Sequence, residues 1–434
     1  MKKAAVVAAV RDAFYKQLEA IGRRLPPWTH TRLEVVAPPL LQLKVQQPLN
    51  LASLPASFAG HFIAVKHVPE RRIFKLQGVW VSSEAVVFKW GKIFVPSLCS
   101  PEALPRHQRG QLMAQQWLSP VSPLSSGLPP AALVHDEWSA RNYYHWMIEA
   151  LPRLLLVLQT HPESALLVPD PAPAFVHRSL ELLGVRNWHP LPRNTSNAMH
   201  VGRLLLPELV YYYEEHENAR LSQLARLAEQ QRPATAPAPL QEELIVAVRR
   251  QLLARHSPPA RPWRRIYASR AGQKTRRLVN EAALLPLLRQ WGFEVVCFEQ
   301  LSFDQQLQLM QESELLLGLH GANLVNMLFL PQGARVLEMM NQQHFNEAYY
   351  LLASSLGLPY YAIPCQMVAE ATEAATSRAR LNDADVAVDL QLIEKTLQEC
   401  LGPVPHQSPH TGGTTLSGSP AGGGSAPEGG LPQG

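Results

Sequence analysis

The stretch Leu315-Leu316-Leu317-Gly318-Leu319-His320-Gly321 decides the fold of this chain. Its apolar run predicts a strand over 315–319 that is buried on both faces, and such strands are typical of parallel sheets covered by helices. The strand ends at His320, and Gly321 opens a short predicted helix at 321–330. This order of strand, tight turn and helix recurs on both sides of the stretch.

The flanking sequence alternates strands and helices with short loops between them. This alternation indicates βαβ units and predicts a parallel sheet. The predicted strands of this half are 265–269, 294–298, 335–339 and 360–363, and the predicted helices are 280–291, 302–313 and 346–356.

The first half of the chain predicts a looser α/β unit with an extra β-rich start. Residues 61–98 are rich in Val, Ile, Phe and Trp with turn residues between them, which indicates short strands or hairpins. The elements that follow are an apolar helix at 143–159, a strand at 165–169, a helix at 175–183 and a strand at 201–206.

Two stretches of biased composition mark the expected domain boundaries. Alternating Pro and Ala at 233–239 disfavour helix and favour an extended linker. The Gly- and Ser-rich end of the chain offers too little apolar surface to offset the entropy of ordering. We expect two Rossmann-like domains that face a cleft, where open α/β sheets bind ligands. The expected division is an N-terminal helix at 1–30, an α/β domain at 31–231, a linker with a connecting helix at 232–262, a second α/β domain at 263–401 and a disordered tail at 402–434.

Composition and charge exclude several classes of protein. The 434 residues include 40 Lys and Arg against 35 Asp and Glu, without a run of five basic residues, which argues against a nucleic-acid binder. The apolar runs are far shorter than the roughly 18 residues of a membrane-spanning helix. Four cysteines lie far apart, so we expect reduced thiols and a cytoplasmic chain. The amphipathic N-terminal segment could also contact a membrane surface.

The turn at His320 and Gly321 is the first candidate binding site. A helix that starts at a strand end presents free backbone N–H groups to anions, and glycine lets a phosphate approach closely. Asn326 could add a polar contact. The competing interpretation is that Gly321 only makes a tight turn and that His320 is a core histidine.

A basic loop after the strand at 265–269 is the second candidate. Arg270 ends that strand, and three further cations, Arg277 among them, precede the next helix. Arginine binds phosphate with two parallel hydrogen bonds. At the same sheet edge as His320, the loop would form a diphosphate clamp. The alternative is a solvated basic loop of little energetic consequence.

The third candidate is the pair His145 and Glu149 in the apolar helix at 143–159. Residues four apart share one face of a helix. An apolar pocket raises the pKa of a carboxyl group, as a general base near neutral pH requires. The alternative is an ion pair between Glu149 and Arg153, with His145 packed beside it.

Taken in the order in which they occur along the chain, the three clusters resemble glycosyltransferase family 61. Bacterial members of this family are often described as capsular polysaccharide biosynthesis proteins. The resemblance covers roughly residues 60–365. The matching residues are Asn142 to Trp146 with Glu149 and Leu151 to Arg153, then Ser269-Arg270, Arg277, Asn280-Glu281, Gly292-Phe293, Glu299 and Ser302-Phe303, and finally Gln305-Gln306, His320-Gly321-Ala322, Asn326 and Val336-Leu337-Glu338.

The resemblance implies a GT-B fold, an inverting reaction, a nucleotide-sugar donor and no essential metal or other cofactor. The domain at 263–401 would bind the donor, and the domain at 31–231 would face the acceptor, a glycan or a lipid-linked glycan. The implied base is Glu149, with His145 to orient it and Asn142 on the acceptor side. The expected donor-binding residues are Arg270, Arg277, His320, Gly321, Ala322, Asn326 and Glu338, the last through ribose hydroxyls.

We therefore expect an inverting glycosyltransferase of capsule or cell-envelope polysaccharide synthesis, in the cytoplasm or peripherally at the inner membrane. Inversion needs a base for the acceptor hydroxyl and charge stabilisation for the leaving diphosphate, and the three clusters offer both. The alternative is a non-catalytic protein on the same fold that binds nucleotide sugars or glycans.

Overall fold

The structure is a computed structural model. It describes residues 13–18, 20–21, 31–37, 40–68, 70–99, 101–120, 122–126, 129–193, 197–208, 241–256, 259, 261–368 and 383–402. The expected linker at 233–239 and the tail beyond residue 402 lie outside the described residues. Of the expected N-terminal helix, residues 13–18 and 20–21 are described and are helical.

The first half of the chain forms a mixed sheet. Its described strands are Thr31–Ala37 (β1), Leu40–Lys44 (β2), Val65–Val68 (β3), Arg71–Ser82 (β4), Val87–Lys89 (β5), Lys92–Ile93 (β6), Ala131–Ala132 (β7), Ala165–Asp170 (β8), Trp188–Pro192 (β9) and Ala198–Pro207 (β10). The strand order is β6-β5-β4-β10-β7-β8-β9, with β1 beside β4, while β2 pairs with β3 separately. Because β4 pairs antiparallel with β10, the β-rich start and the later parallel strands belong to one sheet.

The second half forms the predicted parallel sheet. Its described strands are Arg264–Ala268 (β11), Phe293–Val296 (β12), Ser313–Leu319 (β13), Arg335–Asn341 (β14), Tyr360–Met367 (β15) and Val386–Ala387 (β16). The order is β12-β11-β13-β14-β15-β16, and each neighbouring pair is parallel except β15 with β16. The apolar stretch that decided the prediction is β13, which lies inside the sheet and is flanked by β11 and β14.

Helices connect and cover the strands. Besides residues 13–18, the described α-helices are Ala56–Ala59 (α1), Arg109–Leu118 (α2), Tyr143–His145 (α3), Leu151–Thr160 (α4), Ala174–Leu182 (α5), Gln241–Leu252 (α6), Glu281–Gln290 (α7), Phe303–Gln311 (α8), Ala348–Ser355 (α9) and Leu390–Leu401 (α10). Short 3-10 helices occur at Leu51–Ser53, Val95–Ser97, Pro101–Arg106, Pro123–Ser126, Phe298–Gln300 and Ala322–Phe329. The predicted helix after Gly321 is thus a 3-10 helix, and the α/β fold class is confirmed.

A π-helical turn at Trp146–Ala150 separates α3 from α4. The sequence predicted a continuous helix here, and its extent is right, but Pro152 lacks the N–H group that would bond to the carbonyl of residue 148. The helix widens instead, and the N–H of Leu151 donates to the carbonyl of Trp146, five residues back. Such turns recur at functional sites, and this one contains Glu149.

One apolar core extends from the first sheet to the second. Ile73 and Val168 of the first sheet belong to the same buried cluster as Leu316 and Val336 of the second. Polar contacts add to it, since the Asn50 side chain exchanges two hydrogen bonds with the backbone of β15, at 2.8 and 3.0 Å. The two halves therefore pack directly against each other. No helix in the described ranges combines the length and apolarity needed to cross a bilayer.

A hydrogen bond between Tyr143 and Asn326 also links the two halves. The Tyr143 hydroxyl donates to Asn326 Oδ1 at 2.9 Å, and Asn326 is fully buried. We predict that Tyr143→Phe lowers the free energy of unfolding by about 1–3 kcal/mol, because it leaves a buried acceptor without a partner. Urea unfolding measures this loss.

The matched control is Asp304→Asn, which weakens a more exposed polar link between the halves. Arg178 Nε lies 3.0 Å from Asp304 Oδ2, but the two side chains are 32 and 48 % exposed. Its loss should cost less than about 1 kcal/mol. A Tyr143→Phe effect no larger than that of the control would contradict the assignment.

Candidate functional site

The helical segment that begins at α3 supplies the first half of the site. Asn142 caps it, since its side-chain oxygen accepts a hydrogen bond from the N–H of Tyr144 at 2.9 Å, a typical role of asparagine. The fully buried Trp146 donates from Nε1 to Ser179 Oγ on α5 at 2.9 Å. The intervening turn carries His145 and is held from both sides.

His145 and Glu149 form a hydrogen-bonded pair. Nδ1 of His145 lies 2.9 Å from Oε1 of Glu149, as the four-residue spacing predicted. The Glu149 side chain is 1 % exposed and the His145 side chain 13 %, so solvent reaches the imidazole and not the carboxylate. Because a carboxylate accepts, Nδ1 carries the proton and Nε2 is the basic nitrogen.

A second buried carboxylate lies behind this pair. Nη2 of Arg153 is 3.5 Å from Oδ2 of Asp136, and Nε of Arg153 donates to the backbone carbonyl of Glu149 at 3.0 Å. Oδ1 of Asp136 accepts two backbone hydrogen bonds from the turn that follows it. The alternative interpretation assigned Arg153 to the Glu149 carboxylate, but that carboxylate pairs with His145, and the acid that Arg153 faces is Asp136.

These contacts set the protonation of the cluster. Burial alone would lower the pKa of His145, but the Glu149 carboxylate outweighs it and raises that pKa above its ordinary value. Burial would raise the pKa of Asp136, but Arg153 and the hydrogen bonds lower it overall. At the neighbouring His135 burial outweighs the attraction of the Asp136 carboxylate and lowers the pKa to about 3. The imidazole of His145 is thus a strengthened base that contacts Glu149.

Arg270 and Gly321 meet at the carboxyl edge of the second sheet. β11 and β13 are parallel neighbours, so the residues after both strands leave the sheet at one edge, as predicted. A Cβ atom on residue 321 would lie 2.1 Å from Nη1 of Arg270, so glycine is needed beside the guanidinium. Arg270 is held there by the carbonyls of Arg276 and Thr275, to which it donates at 3.0 and 3.2 Å.

His320 forms a second pair with a buried carboxylate. Its Nδ1 lies 2.5 Å from Oε1 of Glu338, and the hydroxyl of Tyr360 donates to Oε2 of Glu338 at 2.6 Å. The Glu338 side chain is fully buried and the His320 side chain is 14 % exposed. Both carboxylate oxygens are therefore engaged behind the imidazole. The predicted ribose contact of Glu338 stays a prediction.

The cations of the basic loop take different places. Arg277 donates from Nε and Nη2 to Oδ2 of Asp385, at 2.9 and 2.6 Å. Arg276 lies 3.8 Å from Asp383 and lines a small cavity together with His320. Arg276, which the sequence did not single out, is therefore the loop cation that borders His320, and the donor contact of Arg277 stays a prediction.

The partners of these arginines belong to an Asp-x-Asp pattern, Asp383-Ala384-Asp385. This pattern is usual in metal-dependent glycosyltransferases of the GT-A type, and the expectation of no essential metal did not take it into account. In the structure each carboxylate faces an arginine of the basic loop. Within the described ranges, no group of three or more His, Cys, Asp or Glu side chains is arranged to hold a metal ion.

Aromatic rings join the two halves of the site. The ring of Tyr144 lies 5.1 Å from that of His145 and 5.5 Å from that of Tyr349. The Tyr349 ring in turn lies 4.9 Å from the imidazole of His320. The two histidine–glutamate pairs therefore border one region, with Tyr144 and Tyr349 between them.

The remaining predicted residues occupy supporting positions. Asn326 is fully buried and accepts from Tyr143, Asn142 is exposed at its helix cap, and Ala322 begins the 3-10 helix after Gly321. Their expected roles in donor and acceptor binding stay predictions. Tyr349 and Tyr360 were missed because nothing in their local sequence separates them from ordinary core tyrosines.

Comparison with known proteins identifies a family for part of this chain. Residues 143–337 match the family model of glycosyltransferase 61. This segment belongs to glycosyltransferase family 61. It starts at α3 and ends within β14, so the glycosyltransferase 61 segment contains both His145 and His320.

Curated relatives match shorter stretches of this chain. An EGF domain-specific O-linked N-acetylglucosamine transferase of Drosophila melanogaster is 35 % identical over 108 residues, which cover 24 % of this chain and 20 % of the relative. The protein O-linked-mannose beta-1,4-N-acetylglucosaminyltransferase 2 of Takifugu rubripes is 36 % identical over 98 residues, which cover 21 % and 16 %. The chain thus matches a fifth or less of the length of these relatives.

The His145–Glu149 pair predicts a pH-dependent stability. The folded pKa of His145 lies above its unfolded value, near 6.5, so the contribution of the pair is fully present below that value and is lost as pH rises through the folded pKa. We predict that the unfolding free energy lost in His145→Gln is larger at about pH 5.5 than at about pH 9. In a Glu149→Gln background this pH dependence should vanish. An equal loss at both pH values would contradict the pairing.

The contact of Gly321 with Arg270 predicts a rescue. Gly321→Ala should cost about 1–3 kcal/mol of unfolding free energy, because the new methyl group displaces a buried guanidinium. In an Arg270→Ala background the same change should cost close to nothing. Gly272→Ala, where a Cβ atom meets no neighbour within 4 Å, is the matched control. An equal loss of unfolding free energy with and without Arg270 would contradict the contact.

Proposed function

We propose that this chain is a glycosyltransferase that moves a sugar from a nucleotide-sugar donor to a hydroxyl group of a glycan. The observation that carries the proposal is the pair of histidine–glutamate contacts that border one region. Both histidines and Glu149 lie within the glycosyltransferase 61 segment, and Glu338 directly follows it. One side of that region offers a base, and the other offers an arginine and a glycine turn that suit a diphosphate. The expected two-domain GT-B layout, with the donor domain at 263–401, belongs to this proposal.

The donor diphosphate would lie at the carboxyl edge of the second sheet. Arg270 and Arg276 supply positive charge there, and Gly321 lets the diphosphate approach the backbone N–H groups at the start of the 3-10 helix. As the bond between the sugar and the diphosphate breaks, negative charge builds up on the departing phosphate. Fixed donors aimed at that charge lower the barrier without reorganisation, and an inverting reaction that needs no metal is proposed on this basis.

His145 would take the proton of the acceptor hydroxyl. Its Nε2 is the basic nitrogen, its side chain is the accessible member of the pair, and its pKa is raised by Glu149. The acceptor oxygen forms a bond to the anomeric carbon, the bond to the diphosphate breaks, and the proton passes to Nε2. Glu149 stabilises the imidazolium that results. The sequence favoured Glu149 itself as the base. In this proposal His145 is the base, and Glu149 stabilises its protonated form.

The names of the relatives narrow the substrates to be tested first. They transfer N-acetylglucosamine to EGF domains or to O-linked mannose of proteins, and we propose N-acetylglucosamine as the first donor sugar and a protein-bound glycan as the first acceptor class. These relatives give no support to the capsule or cell-envelope acceptor that the sequence suggested. The lipid-linked acceptor, the cytoplasmic location and the contact with the inner membrane stay predictions from the sequence.

Turnover by base variants tests the proposal. A thermal-shift screen of UDP-, GDP-, CMP- and dTDP-sugars, begun with UDP-N-acetylglucosamine, identifies the donor, and release of the nucleoside diphosphate in the presence of glycan acceptors reports transfer. His145→Ala and Glu149→Gln should each lower kcat by roughly 10²-fold or more, while the thermal shift given by the donor stays near that of the wild type.

The matched control is Glu137→Gln, a carboxylate of the adjacent loop that lies 3.8 Å from Arg106 and outside the His145 pair. It should keep kcat within a few-fold of the wild type. Donor binding without any transfer in the wild type would favour the non-catalytic binding protein, and a normal kcat in both base variants would remove the pair from catalysis.

A further inference from the structure

A second cavity lies on the first sheet. Its volume is about 470 Å³, within the roughly 300–1,000 Å³ of small-ligand pockets. Strands β4, β5 and β10 contribute to it together with the end of α2. The residues that line it differ from those around His145 and His320, so it is a separate site and the proposed transfer reaction does not use it.

Aromatic side chains dominate two sides of this cavity. Trp80 on β4 and His200 on β10 are directly opposite in the strand register, and their ring centroids lie 5.1 Å apart. Residues in that relation lie on one face of a sheet. A second indole, that of Trp90, lines the cavity after β5. Both tryptophans are only partly buried, so ring surface is open to a ligand.

The backbone of Trp90 is strained. Its φ angle is 53°, in the left-handed region that favours glycine or asparagine. Trp90 and Gly91, whose φ is 67°, form the two-residue turn between the paired residues Lys89 and Lys92, and a turn of this kind requires positive φ at both positions. Oε1 of Gln116 on α2 accepts the Trp90 N–H at 2.8 Å and holds the turn beside the cavity. The first position of such a turn usually carries Asn, Asp or Gly, whereas here it carries an indole that lines the cavity.

Polar groups stand beside the rings. Nδ1 of His200 lies 3.0 Å from Oγ of Ser125, and burial together with the nearby Lys89 lowers the pKa of His200, so the imidazole is neutral at neutral pH. Because Oε1 of Gln116 is taken by Trp90, the amide nitrogen of Gln116 is the group left to donate. Lys89 is the cation of the lining, and it donates to the carbonyl of Gln77 at 3.3 Å.

We propose that this cavity binds a neutral saccharide of one or two pyranose units. A pyranose presents an apolar face of C–H groups and a rim of hydroxyls, which match indole faces flanked by an amide, a hydroxyl and an imidazole. With a single cation that is already hydrogen-bonded, the lining does not suit a phosphate or another strong anion. The site holds a glycan without acting on it, which goes beyond the proposed transfer reaction.

Binding of soluble disaccharides to the full chain tests the proposal. The probes are N,N′-diacetylchitobiose, mannobiose, xylobiose and maltose, each measured by saturation-transfer NMR and calorimetry with and without excess UDP, which would occupy a donor site. Trp90→Gly removes the indole and inserts the residue that the backbone favours, so the fold is expected to persist. It should weaken binding roughly ten-fold or more. His200→Ala, the second variant, should weaken it as well.

Two controls separate this site from its surroundings. Trp117→Ala removes an indole that is 53 % exposed on the same helix as Gln116 but does not line the cavity, and it should leave binding unchanged. Glu149→Gln should also leave binding unchanged, so that failure of the proposed transferase does not affect this test. The proposal is overturned if no probe binds the wild type, if UDP displaces the probe, or if Trp90→Gly and His200→Ala both bind it normally.

Discussion

The hydrogen bond from Tyr143 to the buried Asn326 joins the two segments that carry the functional histidines. Asn326 belongs to the 3-10 helix that follows Gly321, and Tyr143 opens the segment that carries His145. A buried polar pair of this kind has few alternative arrangements, because each misplaced partner would lose its hydrogen bond in an apolar surrounding. The site depends on this contact, since it joins residues that are 183 positions apart in the sequence.

Within that region the chain uses one arrangement twice. In each half a buried glutamate binds Nδ1 of a histidine whose ring is slightly exposed, with 1 and 13 % exposure in one pair and 0 and 14 % in the other. The carboxylate fixes the tautomer and the ring orientation, and Nε2 is left toward solvent. The two pairs differ in the charged residues that surround them. Asp136 and Arg153 stand behind His145, whereas Arg276 lines the cavity beside His320.

The local features of this structure followed from the sequence, and the long-range ones did not. The apolar run at β13 and the alternation around it predicted the parallel sheet, and a spacing of four residues predicted the His145–Glu149 contact. The pairing of β4 with β10 depends on strands more than one hundred residues apart, for which the sequence carries no local signal. The same is true of Tyr349 and Tyr360, and of the partners of Arg153 and Arg277, because a charge pattern does not tell which carboxylate the fold brings near.

The most direct measurement is a crystal structure of the chain with UDP, or with whichever nucleoside diphosphate the thermal-shift screen selects. We expect the diphosphate oxygens to lie about 2.7–3.2 Å from the Arg270 guanidinium and from the backbone N–H groups after Gly321. We also expect Nε2 of His145 to face the space beyond the second phosphate, where the anomeric carbon of a donor would lie. A diphosphate bound away from Arg270, or a His145 ring turned away from it, would contradict the proposed donor site and base.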